Sequence, residues 1–225
     1  MRTLKGIASL ILVSLAPALN AQQHATASTV PAPLDYKLAE FEVKDSSFVE
    51  AVSQLSRQAI EGLHLALEEV LREKMSDPPF QGPHFSLSLH NSTVREIVDS
   101  LCNYDSRYTW SLDGKTINIY PKTATADDAY LLNRRLEQIT VIAIPDPGQG
   151  LTFLDRQLPP PREQLGYAGA GGDFSYIAPW TQTFHDLTVR QFINRLSEHM
   201  GSHTSWVFYG SKQERLFTFL KGGFH

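Results

Sequence analysis

The chain has 225 residues, of which 42% are hydrophobic and 20% charged, enough for one or two domains with a real core and too apolar for wholesale disorder. A formal charge of -4 gives no general electrostatic attraction for nucleic acid. One cysteine excludes an intramolecular disulfide and any zinc site with two or more thiolates.

Arg2 and Lys5 precede an apolar run from Ile7 to Leu15, and small residues follow at Ala16, Ala18 and Ala21. That order is a secretory signal peptide, residues 1–21, and its apolar run is too short to span a bilayer. No later segment is apolar enough to span, and no cysteine stands just after the cleavage site, the only one being Cys102. The expected address is periplasmic or secreted, without membrane span or lipid anchor. Loss of the leader removes Arg2 and Lys5 and leaves 18 basic against 24 acidic residues. Residues 22–35 read as a flexible tether of Ala, Gln, Thr, Ser and Pro.

Beyond the tether the chain repeats itself. The stretch Phe85 to Leu101 matches Trp180 to Leu196 at an offset of 95 without a gap. His90 meets His185, Thr93 meets Thr188, Arg95 meets Arg190 and Leu101 meets Leu196. Upstream, Leu55–Gln58 matches Leu154–Gln157 at an offset of 99. The expectation is two tandem α+β units of the βαβαββ type, residues 36–123 and 138–221, joined by a linker helix over 124–137.

In the first unit Phe41–Val43 is a strand, and Ser47 with Glu50 forms a capping box before the stripe Phe48, Ala51, Val52, Leu55. Gly62 opens a strand through Leu67. Asp77–Pro83 is a loop. Phe85, Leu87 and Leu89 alternate with serines in a half-buried strand. Thr93 and Glu96 cap a helix with Val94, Ile97, Val98 and Leu101 inward, which makes Cys102 a core residue. A two-residue turn at Asp113-Gly114 pairs Leu112 with Lys115, Trp110 with Ile117 and Tyr108 with Ile119. In the second unit Ile139–Ile144 is a strand and Gly150–Leu158 a helix stopped by Pro159–Pro161. Gly166–Gly172 is a glycine-rich loop. Thr188 caps a helix with Val189, Phe192, Ile193 and Leu196 inward, and a hairpin from Trp206 to Leu220 closes the unit. Trp110 and Trp206 belong to the cores; Trp180, after the glycine-rich loop, is placed on a surface.

Strand, capped helix, loop and then "FSLSLHNSTVREIVDSLCNYDSRYTWSLDGKTINIYP" resemble the secretin and TonB short N-terminal domain. The resemblance covers Leu38 to Lys122 and, more weakly, Ile139 to Leu220. The layout with "YAGAGGDFSY" and "PWTQTFHDLTVRQFINR" is also similar to exported bacterial proteins of unknown function. The resemblance implies a periplasmic interaction role. With no barrel or secretin segment downstream, pore formation and uptake are not implied.

No pattern amounts to a catalytic signature. Gly114-Lys115-Thr116 lacks the earlier glycine of a phosphate loop, Thr109 standing there instead. His199 and His203 have helical metal-ligand spacing, but Gly201 between them ends the helix. The acid pairs Glu68-Glu69 and Asp127-Asp128 read as solvated surface. Arg95 and Arg190 stand in first helical turns, where the dipole disfavours a cation. They point either to a partner or to internal pairs, Arg95 with Asp99 and Arg190 with Glu198 or Asp186. The expected function is therefore a protein–protein interaction module of the cell envelope, non-enzymatic, without metal or cofactor. Its candidate face comprises Arg95, Arg190, Tyr167, Asp173, Tyr176 and Trp180. Two alternatives stand beside it: a binding protein for a small molecule or cell-wall fragment in the cleft between units, and a hydrolase around His185 and Asp173.

Overall fold

The computed structural model describes residues 33–58, 62–77, 82–158, 165–171, 178–212 and 214–221. The expected leader, most of the tether, Pro159–Pro161, Asp173 and Tyr176 lie outside the described residues.

The architecture is α+β. A short 3-10 turn, Pro33–Asp35, buries Leu34 and opens the described chain. Then come β1 (Lys37–Ser46), α1 (Phe48–Arg57), β2 (His64–Glu68), β3 (Phe85–Thr93), α2 (Val94–Tyr104), β4 (Tyr108–Asp113) and β5 (Thr116–Pro121). The same order follows in β6 (Arg135–Ile144), α3 (Pro147–Gln157), β7 (Leu165–Gly171), β8 (Trp180–Thr188), α4 (Val189–His199), β9 (Thr204–Gly210) and β10 (Arg215–Lys221).

The helix starts follow their caps. Ser47, Thr93 and Thr188 each accept from the N3 amide, and Glu50, Glu96 and Gln191 reach back to the cap amide. Asp146 caps α3 alone, with Pro147 in the first turn, so that helix starts three residues before the Gly150 expected from its apolar stripe.

β1 pairs antiparallel with β3, and β6 with β8, each in a two-stranded ribbon. Each ribbon carries a bulge, with Asp45 and Ala143 at φ 44° and 49°. The bulge amides donate across the ribbon to Ser86 and Thr181, both at 3.0 Å. Further along, Asn91 and Asp186 sit at φ 50° and 53° just before the caps.

The remaining strands form one six-stranded sheet in the order β4-β5-β2-β9-β10-β7. The two runs of elements meet edge to edge, where β2 pairs parallel with β9 as Ala66 to Trp206 and Leu67 to Val207. Residues 31–225 cluster as one compact unit. β2 is shared between two cores. Leu65 and Leu67 point into the first, with Ile97, Leu101, Ile117 and Ile119. Ala66 points into the second, with Phe192, Trp206, Phe208, Phe217 and Phe219. Helices α1 and α2 therefore cover one face of the sheet and α3 and α4 the other. The chain between the runs contributes Leu131 and Leu132 to the second core; in place of the expected linker helix it holds two 3-10 turns, Lys122–Ala124 and Leu131–Asn133.

Two expectations are corrected. The β4–β5 register is Asp113 to Thr116, Leu112 to Ile117, Trp110 to Ile119 and Tyr108 to Pro121. The turn is thus Gly114-Lys115, with only Gly114 at positive φ (59°), the pattern of a type II′ turn. Asp113 is held in the ladder because its carboxylate is taken by α4, through Asn194 at 2.9 Å and Arg195 at 3.3 Å. The glycine-rich segment expected as a loop is largely strand, β7, parallel to β10. Its glycines fit because Leu216 and Leu220 lean over it: a Cβ at Gly166 or Gly171 would come within 2.3 or 2.8 Å of their methyls.

Candidate interaction surfaces

Arg190 and Arg95 hold equivalent places and have different partners. Arg190 reaches from α4 across the sheet to Glu68, the last residue of β2. It donates through Nε and Nη2, the latter at 3.0 Å, and a third bond runs to Asn133 Oδ1 at 2.7 Å. Its guanidinium lies 4.6 Å from the Tyr120 ring. Glu68 is fully buried, and burial pushes its carboxyl above the ordinary range while Arg190 pulls it back. Burial opposes the Arg190 charge as well, but the hydrogen bonds and charge of Glu68 outweigh it and raise the guanidinium. The partner is neither Glu198, which pairs with Arg195, nor Asp186, which pairs with Arg135. Glu68, expected on the solvated surface, is the acid that joins the two runs, and no local pattern marks it.

Arg95 is exposed and lies 5.7 Å above the ring of Trp110, with no ion pair to Asp99. Asp99 instead accepts from Trp110 Nε1 at 2.7 Å. The second run repeats this bond, with Trp206 Nε1 donating to Asn194 at 3.0 Å. Trp206 is fully buried, whereas Trp110 is half-buried beneath Arg95.

Trp180 differs from its expected exposure. It is 9% exposed, stacks on His199 at 4.9 Å and meets Phe184 edge to face at 5.2 Å. His199 also faces the Ala178 carbonyl at 3.0 Å. Tyr167 is 40% exposed on β7, and a Cβ at Gly148 of α3 would come within 2.8 Å of its ring. Of the six candidate residues, then, Arg190 is committed inside the fold, Trp180 seals the second core, Arg95 and Tyr167 are open, and Asp173 and Tyr176 lie outside the described residues. His185 is exposed on β8 opposite Gln138. Burial pushes the Cys102 thiol up to about 12, so the thiolate nucleophile is disfavoured there.

Two open surfaces remain. The first is the pair of sheet edges: among the described residues β4 pairs only with β5, and β7 only with β10. The second is a groove of about 490 Å³ between α1 and the outer face of β9–β10. Its floor is Leu67, Val207, Thr218 and Leu220, with Glu69 next to Tyr209 in the β2–β9 register and Glu50 and Arg57 on the α1 wall. Among the described residues no helix is long and apolar enough to cross a membrane, and no group of three or more His, Cys, Asp or Glu gathers as metal ligands would.

No family model, no curated protein and no solved structure matches the chain.

Proposed function

We propose that the chain is an exported protein–protein interaction module, an accessory or signalling component of a bacterial envelope system. The observation that carries this reading is the construction of the sheet. The two runs join by pairing the edges of β2 and β9, and the same sheet ends in two further edges, β4 and β7, that no described strand covers. An uncovered edge offers a row of amides and carbonyls to an incoming strand. The short N-terminal domain resemblance and the leader-like first residues supply the compartment.

Two measurements test it. N-terminal sequencing of the protein from a periplasmic fraction should begin near Leu19 or Gln22; an intact Met1 on cytoplasmic protein overturns the address. A photo-crosslinking residue at Ser111 of β4 or Ala168 of β7 should trap one envelope protein in cells, while the same probe at the exposed Asn103 of α2 should not. Equal labelling from all three positions overturns the edge reading.

A further inference from the structure

The outer faces of the two hairpins are equivalent in the recurring order, and their chemistry is reversed. On β4–β5 the outward side chains are Thr109, Ser111, Asp113, Thr116, Asn118 and Tyr120, yet Thr116 and Asn118 are fully buried. What buries them is α4. Glu198 accepts from the Lys115 amide at 3.2 Å, Asn194 and Arg195 hold Asp113, and Arg190 lies on Tyr120 and binds Glu68. On β9–β10 the outward side chains are Ser205, Val207, Tyr209, Leu216, Thr218 and Leu220; Ser205 is buried and the others are only half-buried. These strands are therefore apolar on both faces, the pattern of strands covered on both sides.

Beside that bare face stands Glu69. It follows Glu68 in the chain and points to the opposite side, lining the groove with Leu67. Among the described residues its carboxylate has no hydrogen bond and no ion pair. The guanidinium of nearby Arg72 is spent on the carbonyls of Gly210, Met75 and Asp77. On one face of the sheet, then, an acid meets a cation carried by a helix lying across the strands. On the other face the next acid in the chain stands beside an apolar floor with no cation in hydrogen-bond contact; Arg72 acts on it only through space, and Arg57 of α1 lines the same groove.

We propose that the groove between α1 and β9–β10 docks an amphipathic helix of a protein partner, with its apolar side on Val207, Thr218 and Leu220 and a lysine or arginine against Glu69. This rests on the reading of the chain as an interaction module. The internal precedent is α4, which covers the equivalent face and brings Arg190 to Glu68. A second copy of this chain suits the groove poorly, because the helix equivalent to α4, α2, turns Arg95, Asp99 and Asn103 outward.

The probe is a fluorescent model helix of about 18 residues, leucine along one side and lysine at its flanks, with an analogue bearing glutamate at the flanks. Anisotropy titration of the full protein should give saturable binding of the lysine peptide at low salt. Leu220→Asp and, independently, Val207→Ser should weaken it by roughly tenfold or more. Glu69→Gln should erase a preference of about fivefold for lysine over glutamate while leaving the apolar part intact. Thermal melts of each variant exclude loss of folding, and Val207→Ser is the mild change if Leu220→Asp unfolds. Unchanged affinity in all three variants, or no binding of the lysine peptide, overturns the proposal. So does a concentration-dependent dimer that Val207→Ser abolishes and the peptide does not displace. If crosslinks form at the strand edges while the peptide fails, this inference falls and the module reading stands.

Discussion

The hairpin β4–β5 turns a polar outer face toward α4 and is covered; β9–β10 turns its outer face toward a groove beside α1 and is only partly covered. The difference shows that burial in this fold is not set by strand pattern alone. On the polar face Asp113 finds Asn194 and Arg195, Thr116 faces Glu198, and Asn118 bonds the Thr116 carbonyl within its own hairpin, whereas the apolar face of β9–β10 is left half-buried beside α1. It also separates two kinds of contact between the runs. The hydrogen-bonded β2–β9 pairing has no side-chain specificity, whereas the polar latch of Glu68, Arg190 and Asn133 depends on three named residues.

The latch is where the comparison breaks most easily. Arg190→Met leaves Glu68 buried without a counter-charge and should cost about 3–5 kcal/mol. The double variant Glu68→Met with Arg190→Met removes both charges and should recover most of that loss. Urea melts of the two single variants and the double variant measure the coupling. If the singles cost no more than the double, the pair does not hold the runs together. The same comparison predicts how the halves behave apart. A fragment of residues 34–123 exposes Thr116, Asn118 and Glu68, which water satisfies, so it should stay soluble and melt cooperatively. A fragment of residues 138–221 exposes Val207 and Leu220 in addition to its sheet junction, and should aggregate. A random-coil spectrum from the first fragment would mean that the shared strand β2 cannot form without β9.

The tryptophans sharpen the comparison with a smaller effect. Trp206→Ala empties the second core and should cost about 3–5 kcal/mol. Trp110→Ala removes a half-buried ring, its bond to Asp99 and the contact beneath Arg95, and should cost about 1–2 kcal/mol. Equal losses in urea melts would place Trp110 in the core after all.

Much of this fold is legible in the sequence because much of it is local. Capping boxes at Ser47, Thr93 and Thr188 set three helix starts, and the apolar stripes behind them pick out the buried positions of α1, α2 and α4. The stretches matched at an offset of 95 share local features, among them the left-handed residues Asn91 and Asp186 and the indole acceptors Asp99 and Asn194. What escaped the sequence is what depends on the other run. Glu68 looks like half of a solvated acid pair until α4 lies across it. Gly166–Gly172 looks like a loop until Leu216 and Leu220 fill the space beside Gly166 and Gly171. The hairpin register shifts because Asp113 is taken by Asn194 and Arg195. The candidate site suffers most for the same reason. Arg190 stands out in the sequence by its unfavourable place on its helix, but the charge it answers is 122 residues away.

The smallest expected effect divides the two faces by acid. His64 lies on the covered side of β2, 3% exposed, with Nδ1 at 2.8 Å from the Thr204 carbonyl. Burial pulls its pKa below the ordinary imidazole value, and the Thr204 carbonyl and the charge of Glu198 only partly oppose this. Below about pH 6.5 the unfolded chain therefore binds a proton that the folded chain refuses, and stability falls with pH down to the lowered folded value. Glu69, on the open side, acts in the opposite sense. Burial raises its carboxyl, with Arg72 opposing, so the folded chain takes up a proton before the unfolded one does and gains stability as pH falls toward the ordinary carboxyl value. Melting temperatures between pH 7.5 and pH 5 should be compared with those of the wild type, whose own slope also contains the burial-raised Glu68 carboxyl. They should decline less in His64→Gln, whose amide still reaches the Thr204 carbonyl, and more steeply in Glu69→Gln. A His64→Gln profile parallel to the wild type would move the acid sensitivity away from the covered face. A Glu69→Gln profile parallel to it would mean that the carboxylate in the groove is already as well solvated as in the unfolded chain, which would remove the reason for a cation to seek it.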